Sequence, residues 1–166
     1  MPHAIPVSKL MINREEWSQL RSDTDVLTAI KILRIVTEEK KLEHGHSTPL
    51  VLDENYKLLG FVRLTDLLRS VRHLWEETDQ PGESDKAGRP VSELVIPFKA
   101  SVTEDDSILR ALNTMMDYDV SIVPVLKDGK LQALVKLSDI FNSVAALLFD
   151  EHDPAERRRL LGDHYL

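Results

Sequence analysis

Two stretches of this chain can be laid on each other residue for residue. Phe61-Val62-Arg63-Leu64-Thr65-Asp66-Leu67-Leu68 matches Leu134-Val135-Lys136-Leu137-Ser138-Asp139-Ile140-Phe141, with every position identical or similar in type. Far upstream of each, Val7-Ser8-Lys9-Leu10 returns as Val91-Ser92-Glu93-Leu94. An internal repeat restricts the fold more than any single motif, because one supersecondary unit must bury its apolar face against its own copy.

The same order of elements fills both copies. An apolar lead-in (Trp17 to Leu20; Ala100 to Val102) runs into an acidic, hydroxyl-rich turn. The turns are Ser22-Asp23-Thr24-Asp25 and Thr103-Glu104-Asp105-Asp106-Ser107, whose side-chain oxygens suit helix N-caps. Helical periodicity follows, with Val26, Ala29, Ile30, Leu33 and Val36 on one face of the first helix and Ile108, Ala111, Leu112 and Met115 on one face of the second. Each helix leads to a proline-bearing strand, Thr48-Pro49-Leu50-Val51-Leu52 or Val123-Pro124-Val125-Leu126, with the prolines read as strand starts. Turns at Asp53-Glu54-Asn55 and Asp128-Gly129 reverse the chain into return strands, Leu58 to Leu64 and Leu131 to Leu137, that enter a last helix. A β-α-β-β-α unit repeated twice predicts an α+β fold, with helices packed on two small sheets. The expected organisation is repeat 1 over 1–74, an acidic Pro/Gly-containing linker over 75–90, repeat 2 over 91–149, and a tail over 150–166 with a short helix opened by Asp153-Pro154.

Composition removes several function classes. A chain of 166 residues buries roughly 70% of its unfolded surface and needs no staple. With no cysteine, thiolate chemistry, disulfides and Cys-based zinc sites are excluded. A net charge of −7 argues against nucleic acid as a partner, so Arg157-Arg158-Arg159 reads as a solvated helix face. No signal peptide opens the sequence and no apolar run approaches a membrane span, so a cytoplasmic protein with no membrane partner is expected. His44-Gly45-His46 beside Glu43 lacks the further ligands a metal needs, and Asp128-Gly129-Lys130 lacks the flanking residues of a phosphate loop. Trp17 and Trp75 flank the first repeat and read as buried or as dimer contacts. No nucleophile, base and acid fall in a recognisable setting, so the chain is expected to bind and not to catalyse.

The ordered set of acidic turn, amphipathic helix, apolar-Pro-apolar strand, hairpin and Gly-apolar-apolar-x-x-x-Asp resembles the CBS domain, named for cystathionine β-synthase. Two in tandem form a Bateman module; the resemblance covers residues 7–149, and a stand-alone module is expected. It implies two repeats packed through their sheets about a pseudo-two-fold axis, with two clefts between them that take AMP, ADP, ATP or S-adenosylmethionine in many members. It also implies paired modules, here a homodimer, in which ligand binding alters the angle between the halves. Carried over by position, Asp66 and Asp139 match the aspartate that holds ribose, and Pro49 and Pro124 match the strand proline whose neighbouring backbone meets adenine. Gly60 matches the family glycine, whereas the second copy has Ala133. The family's phosphate-binding Ser or Thr is replaced by Arg63 and Lys136.

Chemistry supports these roles and leaves alternatives. A carboxylate at a helix start can accept from both hydroxyls of a cis-diol, and a cation three residues earlier can grip phosphate more strongly than a hydroxyl. The same Asp residues also suit ordinary helix starts, and Arg63 and Lys136 could pair with them and fill the clefts. Thr48, Ile122 and Val123 wall the adenine or belong to the core. Two functions follow: a regulatory module for an adenine nucleotide (AMP, ADP or ATP; no cofactor required) acting on a protein partner, or a ligand-free dimerisation adaptor. The basic pair favours ADP or ATP over the cationic S-adenosylmethionine.

Overall fold

A computed structural model of the chain describes residues 5–39, 48–76, 88–148 and 153–162. Six strands and five α-helices are present among them: β1 (Ile12–Asn13), β2 (Gln19–Arg21), α1 (Val26–Glu38), β3 (Leu50–Leu52), β4 (Leu58–Phe61), α2 (Leu64–Ser70), α3 (Ile108–Tyr118), β5 (Ile122–Lys127), β6 (Lys130–Lys136), α4 (Leu137–Leu148) and α5 (Pro154–Leu161). They form the expected α+β pair, with one three-stranded sheet ordered β2-β3-β4 and another ordered β1-β6-β5. Within each repeat a parallel crossover through the first helix joins a hairpin: β2 pairs parallel with β3 and β3 antiparallel with β4.

Helix starts are fixed where the acidic turns put them. Asp25 caps α1, accepting from the Thr28 amide at 2.9 Å and the Thr28 hydroxyl at 2.7 Å. These two bonds, the hydroxyl's first, hold its carboxyl below the usual carboxylate range. Ser107 caps α3 through the Arg110 amide. Each helix buries the stripe read from its periodicity: Val26, Ala29 and Leu33 in α1, and Ile108, Ala111 and Met115 in α3.

Three apolar clusters make the core. One lies under the helices of each repeat, and the third joins the two sheets face to face through Ile12, Trp17, Leu50, Leu52, Leu131 and Leu134. The lead-ins are exchanged between halves. Val7 is buried in the second repeat's helical core, and Val91 in the first repeat's. Matching backbone bonds seat them, Val7 N donating to Asp106 O and Val91 N to Thr24 O. Downstream, β1 pairs with β6, and Ile96 bridges Phe61 of β4 in the equivalent place.

Two expectations are corrected. The first strand of the second repeat shrinks to a single bridge, Val102 to Val125. Pro124 is not a strand start but the third residue of β5, opposite Leu134, whereas Pro49 precedes β3. The ladder tolerates Pro124 because its carbonyl accepts from the Val102 amide. On an antiparallel strand a residue's N–H and C=O point the same way, so the missing donor lies on that outer side and the bonds to β6 are kept. The registers therefore align Leu50 with Pro124, Thr48 with Ile122 and Pro49 with Val123, one step from the proline-on-proline match. Of the two tryptophans, Trp17 is buried and Trp75 exposed. His44, Gly45 and His46 lie outside the described residues.

Gly60 takes φ +152°, and a Cβ there would stand 2.2 Å from the Ile96 carbonyl oxygen. Only hydrogen fits between β4 and the crossing segment. Its counterpart Ala133 is fully buried, paired with Asn13 on one side and with Val125, beside a register shift in the ladder, on the other. Gly60→Ala is therefore expected to cost about 2 kcal/mol or more and lower the melting temperature by about 4–8 °C. Ala133→Gly should cost under about 1 kcal/mol. Thermal unfolding followed by circular dichroism checks both; equal effects would contradict the close approach at Gly60.

Candidate nucleotide cleft

The inter-sheet core stops short of the edge where α2 begins, and a cavity of about 270 Å³ opens there. Phe61 and Arg63 line it from the first repeat, Tyr118, Asp119, Val120 and Ile122 from the second, and the segment Ile96 to Ala100 crosses between them. Each wall follows from local structure. Arg63 lies two residues past the end of β4, short of the expected strand end at Leu64, and is the N-cap residue of α2, with extended backbone. Opposite it, α3 ends at Asp119 in the left-handed region at φ 52°, turning the chain into β5 and bringing Ile122 to the cleft. Phe98 packs on Phe61 with ring centroids 5.0 Å apart, giving the cleft an apolar floor. Arg63 and Lys99 supply two cations and Asp119 one carboxylate. An apolar slot with a basic rim suits a flat heterocycle carrying an anionic tail.

Arg63 and Asp66 come together, and a third group joins them. Arg63 Nε donates to Asp66 Oδ2 at 2.8 Å, and Arg69 Nη1 donates to Asp66 Oδ1 at 2.8 Å. The carboxylate is 13% exposed while the Arg63 side chain is 60% exposed. This is the pairing weighed against ligand contact on sequence alone, reinforced by an arginine one helical turn further on. The second copy differs, since Lys136 and Asn142 stand where Arg63 and Arg69 do. Asp139 is half-buried in the first turn of α4. The Arg69 side of Asp66 borders a separate cavity of about 250 Å³ between α2 and Arg89 to Leu94.

The expected wall residues separate by repeat. Ile122 lies opposite Lys136 across the β5–β6 ladder and lines the cleft. Val123 points instead into the second repeat's helical core with Ala111 and Met115. Pro124 borders a third cavity, of about 370 Å³, near the hairpin turns. Pro49 is buried, and its carbonyl accepts from the Val62 amide. Thr48 is half-buried, and its carbonyl accepts from the Trp17 indole at 2.9 Å.

Sequence reading missed Phe98, Lys99, Tyr118 and Asp119. The signal was present but weak: Ile96 to Ala100 follows the second Val-Ser-x-Leu motif as Ile12 to Trp17 follows the first, and the first ends in a large aromatic residue. Among the described residues no helix is long and apolar enough to cross a membrane, and no group of three or more His, Asp or Glu is gathered as for a metal ion.

Comparison with known proteins gives the architecture a family. The model of the CBS domain matches twice, over residues 19–73 and 91–146. No curated protein matches the chain at a significant level. Among solved structures, CBSX2 in complex with AMP is similar at a TM-score of 0.63 and 23% identity, covering 87% of this chain and 99% of that one. The CBS domain of a bacterial CNNM/CorC family Mg2+ transporter in complex with ATP reaches 0.63 at 21% identity, over 86% of this chain and 89% of that one. A CBS domain pair/ACT domain protein from Thermotoga maritima reaches 0.59 at 18% identity, over 87% and 100%. With its two matched repeats and their sheet-to-sheet packing, the chain belongs to the CBS domain family as a tandem pair.

Proposed function

We propose that this chain is a cytoplasmic, non-catalytic regulatory module that binds an adenine nucleotide in the cleft between its repeats and passes the signal to a protein partner. The observation that carries the reading is the cleft itself, walled by both repeats with an apolar floor and the cations Arg63 and Lys99 on its rim. Similar folds solved with AMP and with ATP support the ligand class. Arg63 takes the phosphate in this reading. The Arg63 side chain is largely exposed and Arg69 keeps its own bond to Asp66, so exchanging the Asp66 carboxylate for a phosphate leaves both charges partnered. The exchange frees Asp66 Oδ2 for ribose hydroxyls while Arg69 keeps the other oxygen and fixes the carboxylate. Lys136 and Asp139 hold the equivalent places in the second copy. A ligand touching both walls prefers one angle between the repeats, and that differential affinity is the signal.

We further propose that the modules pair as a homodimer through α2 and α4. These related helices leave Leu64 and Leu68, and Phe141, Leu147 and Leu148, exposed. An apolar face this size on a small acidic protein calls for a cover, and an isologous pair matches like with like. Sedimentation should give a dimer at micromolar concentration that Phe141→Asp with Leu68→Asp converts to monomer; a monomeric parent protein would remove the proposal.

The ion triad of Arg63, Asp66 and Arg69 favours a second reading, a ligand-free adaptor in which these side chains satisfy one another. Thermal unfolding against AMP, ADP, ATP, adenosine and S-adenosylmethionine separates the two. A nucleotide at 100 times its dissociation constant adds about 2.7 kcal/mol, a rise of several degrees. Arg63→Glu should erase the preference for ATP over adenosine. Flat curves for every ligand would establish the adaptor, and unchanged relative affinities in the variant would remove Arg63 from the phosphate site.

A further inference from the structure

The internal dyad relates two clefts, yet the lead-in segments that cross them differ in length and in what they deliver. Ile12 and Ile96 hold equivalent places, bridging Leu134 and Phe61, and so do Leu20 and Val102, paired with Val51 and Val125. Between these points the first lead-in takes eight steps and the second takes six. The two additional residues are taken up around the 3-10 turn Arg14–Glu16, which delivers Trp17 into the inter-sheet core with Leu50 and Leu134. The indole is 2% exposed and donates to the Thr48 carbonyl at 2.9 Å. On the other side the shorter path lays Phe98 against Phe61 and leaves the 270 Å³ cleft open.

The consequence is chemical as well as steric. Thr48 is the dyad mate of Ile122, and Lys136 the mate of Arg63, so the indole stands on the Thr48 and Lys136 side. A purine read by backbone needs a flat apolar slot and an in-plane carbonyl acceptor. Trp17 is itself a flat bicycle with one ring N–H, and it already fills such a slot and occupies such an acceptor. Displacing it would expose a large buried aromatic and break a part-buried hydrogen bond, which opposes any competing ligand.

We propose that Trp17 is a built-in plug, that each chain takes one purine nucleoside phosphate, and that the ligand binds only in the cleft lined by Arg63 and Ile122. This rests on the nucleotide reading above and assigns that ligand to one of the two related clefts. Isothermal titration of the full chain with ATP tests it. The expected result is one ATP per chain, an affinity lowered tenfold or more by Arg63→Glu, and a change under twofold for Lys136→Glu. Trp17→Ala should open a second site; if that variant does not fold, the contrast between the Arg63 and Lys136 variants decides alone. Two ATP per chain in the parent protein, or an affinity lost in Lys136→Glu and kept in Arg63→Glu, would overturn the plug while leaving nucleotide binding intact. No binding of ATP by any form would instead remove the nucleotide reading, and the plug with it.

Discussion

Everything in this protein hangs on the apolar contact between its two sheets. Leu50 and Leu52 of one sheet meet Leu131 and Leu134 of the other, with Ile12 and Trp17 sealing the edge. Neither repeat could hide that face alone, since each sheet is covered by helices on one side only. Burying large aliphatic side chains at roughly 1.5–3 kcal/mol apiece makes the pair, and not the single repeat, the folding unit. The clefts are a by-product of the same contact. Two twisted sheets that pack face to face diverge at their corners, and the space left there has one wall from each repeat.

The exchanged lead-ins turn this contact into a mechanical coupling. Val7 is anchored in the second repeat's core and Val91 in the first's, so a change in the angle between repeats pulls on both connections. The segment Ile96 to Ala100 both bridges β4 and borders the cleft, so the cleft's edge is formed by a strap tied to each half. Gly60 sets the height of that strap by letting Ile96 pass without a Cβ between them. In the proposed function Arg63 is the local switch: it is a cation held at the cleft edge by the Asp66 carboxylate, whose place a phosphate would take.

Much of this architecture was legible in the sequence, for physical reasons that also explain the misses. Helix faces such as Val26, Ala29 and Leu33 emerged because a 3.6-residue period survives in any context. The capping turns emerged because few residue types can satisfy free amides. The proline alignment failed because Pro49 and Pro124 serve different ends: one precedes its strand, while the other sits within an edge strand that does not need its N–H. The weak first strand of the second repeat was also hidden, since Val102 makes only one bridge. Near the candidate site, the pairing of Arg63 with Asp66 was legible because helix-start chemistry is local in sequence. Lys99, Tyr118 and Asp119 were not, because only the packing of one repeat on the other brings them to Arg63. Trp17 was read as burial or contact, but its bond to Thr48 spans 31 residues and leaves no local trace.

The central claim is that a nucleotide binds between the repeats and touches both. Amide chemical-shift mapping of the isotope-labelled chain during an AMP titration tests it most directly. The account predicts saturable shifts at Arg63 and Asp66 in the first repeat, at Lys99 in the strap, and at Val120 and Ile122 in the second. Shifts confined to one repeat, or to the exposed faces of α2 and α4, would contradict it.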